Sequence, residues 1–112
     1  MTERKLLGLV GLGLRAHRAV VGVERVRDAA QRGTLRLALV APDASRHSRA
    51  KVLPLLRARR IEVVEGPSAA ALGAAAGRDA TTAIGIVDRE LAKGIRGVTR
   101  SVSSGRPTGG EF

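Results

Sequence analysis

Apolar positions along the chain change period several times, and each change marks an element. Over residues 3–16, Leu6, Leu7, Val10 and Leu14 recur at helical spacing and form one stripe. Gly8, Gly11 and Gly13 inside that segment lower its helix propensity and leave room for another element to approach closely. Residues 19–22 read as a very short strand, and residues 23–32 as a helix that stops at Gly33. The run Leu-Arg-Leu-Ala-Leu-Val-Ala at 35–41 alternates imperfectly, as a central strand covered on both faces does, and Pro42 ends it. Asp43 or Ser45 caps a helix running to about Arg59, in which Pro54 predicts a kink or a late start. Residues 61–64 form a third strand and Gly66-Pro67 a turn. Ser68 caps an alanine-rich helix that stops at Gly77. Residues 82–87 form a fourth strand, and Asp88 caps a last helix that carries Leu91 and Ile95 and stops at Gly97.

Strands alternating with helices predict an α/β fold, a single-domain three-layer α/β/α sandwich with a central four-stranded mixed sheet. Residues 1–99 make up the domain. Residues 100–112, rich in Ser, Gly, Thr and Arg with little to bury, read as a disordered tail. No internal repeat is visible.

Composition narrows what such a domain does. The one aromatic residue is Phe112, at the extreme end, so Leu, Val, Ile and Ala must build the core. The formal net charge is +10, and 17 of the 20 basic residues are Arg, which favours forked hydrogen bonds to phosphate and a polyanionic partner. A high-GC genome enriches Arg and Ala as well. No helix joins a basic face to bulky interfacial aromatics, so a membrane surface is disfavoured as partner. Single-strand binders stack bases on aromatic rings and an RRM needs them on its sheet; structured RNA, read by shape and phosphate, is what remains. The chain has no Cys, which excludes disulfides, thiolate zinc ligands and a thiol nucleophile. The apolar run 6–14 is too short to span a bilayer and lacks a small-residue cleavage site, so a cytoplasmic location is expected.

Signals for catalysis or cofactor binding are weak. Gly8, Gly11 and Gly13 reverse the dinucleotide fingerprint and follow no strand, and no Walker-type loop is present. Asp43, Ser45 and His47 carry the letters of a hydrolytic triad within five residues, and helix capping explains the first two better. His17 and His47 stand thirty positions apart with no metal-ligand spacing. No catalytic residue, metal site or cofactor is expected. Arg57, Arg59 and Arg60 sit at a helix C-terminus, which suits cations on its own. Arg46, Arg49 and Lys51, after the 43–45 turn, are placed to reach phosphates.

Several strings in order carry a resemblance. They are Gly-Val-Glu-Arg-Val-Arg at 22–27, Gly33, Leu-Ala-Leu-Val-Ala-Pro-Asp-Ala-Ser at 37–45, and Pro-Ser-Ala-Ala-Ala-Leu-Gly at 67–73 with Gly77 behind it. Across residues 5–98 the chain resembles the kink-turn-binding ribosomal protein family (the L-seven-Ae and L-thirty-e type), its small bacterial members above all. The resemblance implies a three-layer fold and a non-catalytic protein that grips a sharply bent RNA beside tandem sheared G·A pairs. It implies that Gly22, Val23, Glu24, Arg25 and Arg27 enter the groove at those pairs. It implies that Val64, Gly66 and Pro67, in the 64–68 loop, cover a splayed bulge nucleotide. Arg46 joins them as a phosphate contact. The family's loop reads Gly-Thr-Asn-Glu with a Lys three residues on; here Glu24, Arg25 and Asp28 stand at the Asn, Glu and Lys positions, and Gly66 replaces a small apolar residue. The expected partner is a kink-turn or similarly bent RNA, ribosomal RNA included, bound by a monomer. The alternative is a protein–protein adaptor on the same fold that does not bind RNA.

Overall fold

The computed structural model describes residues 2–104. Its elements run α1 (Thr2–Arg15), β1 (Ala19–Val21), α2 (Val23–Arg32), β2 (Leu37–Val40), α3 (Arg46–Ala58), β3 (Glu62–Glu65), α4 (Ala69–Ala75), β4 (Ala83–Ile86) and α5 (Arg89–Ser104). All nine expected elements appear in the expected order. The strands form one mixed sheet in the order β1-β4-β2-β3; β2 runs parallel to β3 and antiparallel to β4, and β4 runs antiparallel to β1.

The central strand β2 is buried at every position, which is why its sequence does not alternate. Its side chains nevertheless divide by parity. Leu37 and Leu39, with Ala41 beyond, pack with Ile84 and Ile86 against Leu6 and Val10 of α1, Leu72 of α4, and Ala92 and Ile95 of α5. Ala38 and Val40 face the other way, toward Val26, Ala29 and Ala30 of α2 and Val52 and Leu56 of α3. Two helical layers thus enclose the sheet, the three-layer sandwich that the alternation predicts. Small residues let the layers close up. A Cβ on Gly85 would lie 2.6 Å from Leu35 Cδ1, so α2 and the 33–36 turn sit tightly on β4.

Four helices end in one way, with a left-handed residue and a hydrogen bond from the next N–H back five positions. Gly33 and Gly77 supply that residue after α2 and α4; His17 and Arg60 supply it after α1 and α3. Gly97 does not, because its φ is not positive, and α5 continues past it to Ser104. The tail expected from residue 100 therefore begins with five more helical residues; residues 105–112 lie outside the described residues. Pro54 stands inside α3 and delays nothing. The carbonyl it leaves unpaired belongs to Ala50, which is exposed to water.

Of the three α1 glycines, only Gly13 serves a close approach: a Cβ there would run into Leu91 Cδ2 of α5. Gly73 is tighter still in kind, because backbone is what crowds it. A Cβ would meet Ala80 Cα at 2.6 Å and Ala80 N at 2.7 Å, where the 77–82 segment runs back along α4. Gly73→Ala should lower stability by about 2 kcal/mol, read as a shifted denaturant midpoint at constant slope.

Among the described residues no helix is long and apolar enough to cross a membrane.

Candidate nucleic-acid interface

Because β1, β2 and β3 point the same way and β4 opposes them, four connections meet at one rim of the sheet. Three hydrogen bonds fasten them there. Gly22 N–H donates to the Ala83 carbonyl at 2.9 Å, Ala41 N–H to Thr82 at 2.8 Å, and Gly66 N–H to Val40 at 3.0 Å. The starts of α2, α3 and α4 therefore share this rim. With β1 and β3 at opposite sheet edges, Gly22 and Gly66 are separated by three strand spacings, roughly 14 Å.

The first-turn N–H groups of a helix need acceptors, and two of the three starts supply their own. Ser45 caps α3 by accepting from Ser48 N–H at 3.1 Å. Ser68 caps α4 through Ala71 N–H at 3.2 Å, and Asp43 Oδ1, reaching across from the β2–α3 turn, accepts from Ala69 N–H at 2.8 Å. The expected choice between Asp43 and Ser45 thus resolves into one cap each, on different helices. The start of α2 has no side-chain cap: Gly22 occupies it, at φ 102 and ψ 155, with open space where a Cβ would be. That backbone region belongs almost wholly to glycine. Sequence reading picked out Gly22 but missed this contrast, which exists only once the three starts are side by side.

The other expected residues divide. Val23 packs half-buried against the α2/α3 core, so its side chain is structural. Glu24 and Arg25 are exposed, and among the described residues neither side chain has a hydrogen bond or ion pair. Arg25 and Arg27 point to opposite sides of α2. Arg25 lies along the groove beside Val20 of β1, with Asp28 and Arg32 one and two turns on. Arg27 turns to α3, where Nη1 donates to the Lys51 carbonyl. Asp28, at the family's Lys position, pairs with Arg32 at 2.9 Å on the helix surface. Arg46 opens α3 and is exposed. Arg49 is held instead by Glu65 at 2.5 Å, bracing α3 against the end of β3. Gly66 has φ 121, while Val64 and the buried Pro67 line a mainly apolar cleft of about 410 Å³ together with Glu3, Leu6, Val98 and Thr99. The expected loop residues are thus on the rim, with Val64 and Pro67 turned toward α1 and α5.

Four arginines (25, 27, 46 and 49) and three carboxylates (Glu24, Asp43 and Glu65) stand around the rim, so the charge surplus of the chain is not gathered there. Among the described residues, no group of three or more His, Asp or Glu side chains is arranged to hold a metal ion. The triad letters are likewise taken up structurally, Asp43 and Ser45 by the caps above.

Residues 4–96 match the ribosomal protein L7Ae/L30e/S12e/Gadd45 family. Among solved structures, a protein with unknown function from Bacillus halodurans is 29% identical with a TM-score of 0.78, over 86% of this chain and 97% of that one. The Giardia lamblia 15.5kD RNA binding protein is 23% identical with a TM-score of 0.74, over 92% and 88%. No curated protein matches.

Proposed function

The chain belongs to the ribosomal protein L7Ae/L30e/S12e/Gadd45 family, and from that premise we propose that it is a non-catalytic RNA-binding protein that stabilises a sharply bent, structured RNA at the rim. The observation that carries the reading is the uncapped start of α2, with a glycine-only backbone at Gly22, beside two helix starts that their own side chains have closed. An uncapped helix N-terminus presents N–H groups and a partial positive charge to an anion. Open space at Gly22 lets an RNA backbone come close. The ribosomal proteins of the family and the RNA-binding neighbour support RNA as the class of partner.

In this reading Gly22, with the Val23 and Glu24 amides behind it, meets the RNA first. Arg25 and Arg46 supply guanidinium contacts to phosphate from either side. Arg27 holds α2 onto α3 through Nη1 and keeps Nη2 for a phosphate. Val64, Gly66 and Pro67 form an apolar seat for an unstacked nucleotide. Kink-turns suit the arrangement because two phosphate backbones converge at the bend. The protein acts by binding the bent conformer more tightly than the extended one. Ribosomal RNA is the first target to try, with the protein acting as a cytoplasmic monomer.

A titration of a kink-turn RNA against a matched straight duplex, at low and moderate salt, tests this. The bent RNA should bind at least about tenfold tighter, with an affinity that falls steeply as salt rises. A protein–protein adaptor would bind neither RNA. Arg25→Ala should lower affinity for the bent RNA about tenfold, the scale of one or two charge-assisted hydrogen bonds. Its melting temperature should hold, since among the described residues the Arg25 side chain has no hydrogen bond or ion pair. An Arg25→Ala protein that binds the bent RNA like the parent removes that side chain from the interface.

A further inference from the structure

The surplus charge gathers at the opposite end of the sheet. There the C-termini of α2 and α3, the turn before β2 and the first two turns of α5 enclose an open cleft of about 580 Å³, lined by Arg36, Arg59, Arg60, Arg89 and Arg96. These arginines come from three separate segments and meet only in the fold. Arg96 is neutralised by Glu62 at 2.5 Å. Among the described residues the other four side chains have no ion pair or hydrogen bond, and all four residues are exposed.

Two of the four stand where the fold alone would not put an arginine. Arg60 occupies the left-handed position after α3 at φ 56, a place that Gly33 and Gly77 fill at the ends of α2 and α4. A branched or long side chain there costs roughly 1 kcal/mol against glycine. Arg89 is the first residue of α5, where a cation opposes the helix dipole. Helix-end electrostatics favours both Arg59 and Arg60 at the α3 C-terminus, but it leaves the backbone cost of a non-glycine residue at position 60 and the dipole conflict at Arg89 without a return inside the fold. Four unpaired guanidinium groups around one cleft also repel each other, and a polyanion relieves that repulsion.

We infer that this cleft is a second RNA contact, taking the phosphate backbone of duplex RNA. A protein partner would need an apolar anchor, yet Ala30, Leu35 and Ala92 beneath the cleft are buried in the core and the one other large apolar side chain, Ile61, is already half-buried. A single strand would need an aromatic platform, and the lining has none. Phosphates read by arginine forks, without base contacts, fit what remains. The inference does not depend on the bent-RNA reading, because the two surfaces lie at opposite ends of the strands.

The test uses a straight RNA duplex of about 16 base pairs at about 50 mM salt, followed by fluorescence anisotropy. The cluster variant carries Arg36→Gln, Arg59→Gln, Arg60→Gly and Arg89→Gln; glycine suits the backbone at residue 60. A charge-matched control carries Arg4→Gln, Lys5→Gln, Arg15→Gln and Arg78→Gln, four exposed cations that do not line the cleft. The cluster variant should lose about tenfold or more in affinity, while the control stays within about twofold of the parent. Should the four-site protein melt early, Arg60→Gly alone should lose about threefold with no loss of melting temperature. Equal losses in both variants, no loss in the cluster variant, or no duplex binding by the parent would each overturn the inference. So would displacement of the duplex by polyglutamate at equal charge concentration, which would make the cleft a dock for acidic protein. A kink-turn titrated in parallel keeps the two readings apart: failure of the bent-RNA preference leaves cluster-dependent duplex binding standing, and the converse holds.

Discussion

Gly22→Asp should weaken binding of the bent RNA by roughly a hundredfold, about the worth of two charge-assisted hydrogen bonds lost together. The new carboxylate sits at the N-cap of α2, where an aspartate oxygen accepts from first-turn N–H groups. It would close the one rim helix start now without a side-chain cap and set a negative charge against phosphate. Gly22→Ala separates the backbone effect from the charge. Nothing lies within 4 Å of a Cβ there, so packing does not penalise alanine. The φ of 102 with ψ of 155 does, by about 1–3 kcal/mol. The alanine variant should thus melt earlier but keep more RNA affinity than the aspartate one. Anisotropy titrations beside thermal melts of both variants give the answer; an aspartate variant that binds as tightly as the parent removes α2 from the interface.

Leu39→Ala should remove roughly 3–4 kcal/mol of stability, a large share of the 5–15 kcal/mol typical of a domain. Leu39 is fully buried on the central strand, between Val64 of β3 and Ile84 of β4 by register. The core around it is aliphatic, with strands of three or four residues, so few bulky neighbours can slump into the space. Urea unfolding should show a much lower midpoint with an unchanged slope. A loss below about 1 kcal/mol would mean that the helical layer over Leu39 collapses onto the vacancy.

Element order and layer assignment were legible because they rest on local periodicity and on parity along β2. Helix ends were legible only where a glycine adopts the left-handed conformation. Gly33 and Gly77 do; Gly97 bears the same letter without the conformation and stops nothing. His17 and Arg60 end helices with no letter to announce it. The family resemblance read over residues 5–98 and the match over residues 4–96 agree closely. The site was less legible. Arg25 and Arg27 look like a pair in sequence, yet two positions turn a helix through about 200°, which sends them to opposite sides. The Arg49–Glu65 brace and the reach of Asp43 to α4 join residues 16 and 26 positions apart, beyond any local pattern. The arginines of the second cleft are scattered from residue 36 to residue 96, so only the tertiary fold assembles them.

The strand order has a bearing on how the protein is made. β1 and β2 do not pair; β4, the last of the described strands, lies between them and is hydrogen-bonded to both. A nascent polypeptide that has emerged only as far as residue 82 can therefore pair β2 with β3 but leaves β1 with no neighbour. Release of Ile86 from the exit tunnel completes the sheet, and both helical layers gain their shared floor at that moment. Synthesis should thus yield little native structure until β4 is free, after which folding proceeds in one late, concerted step.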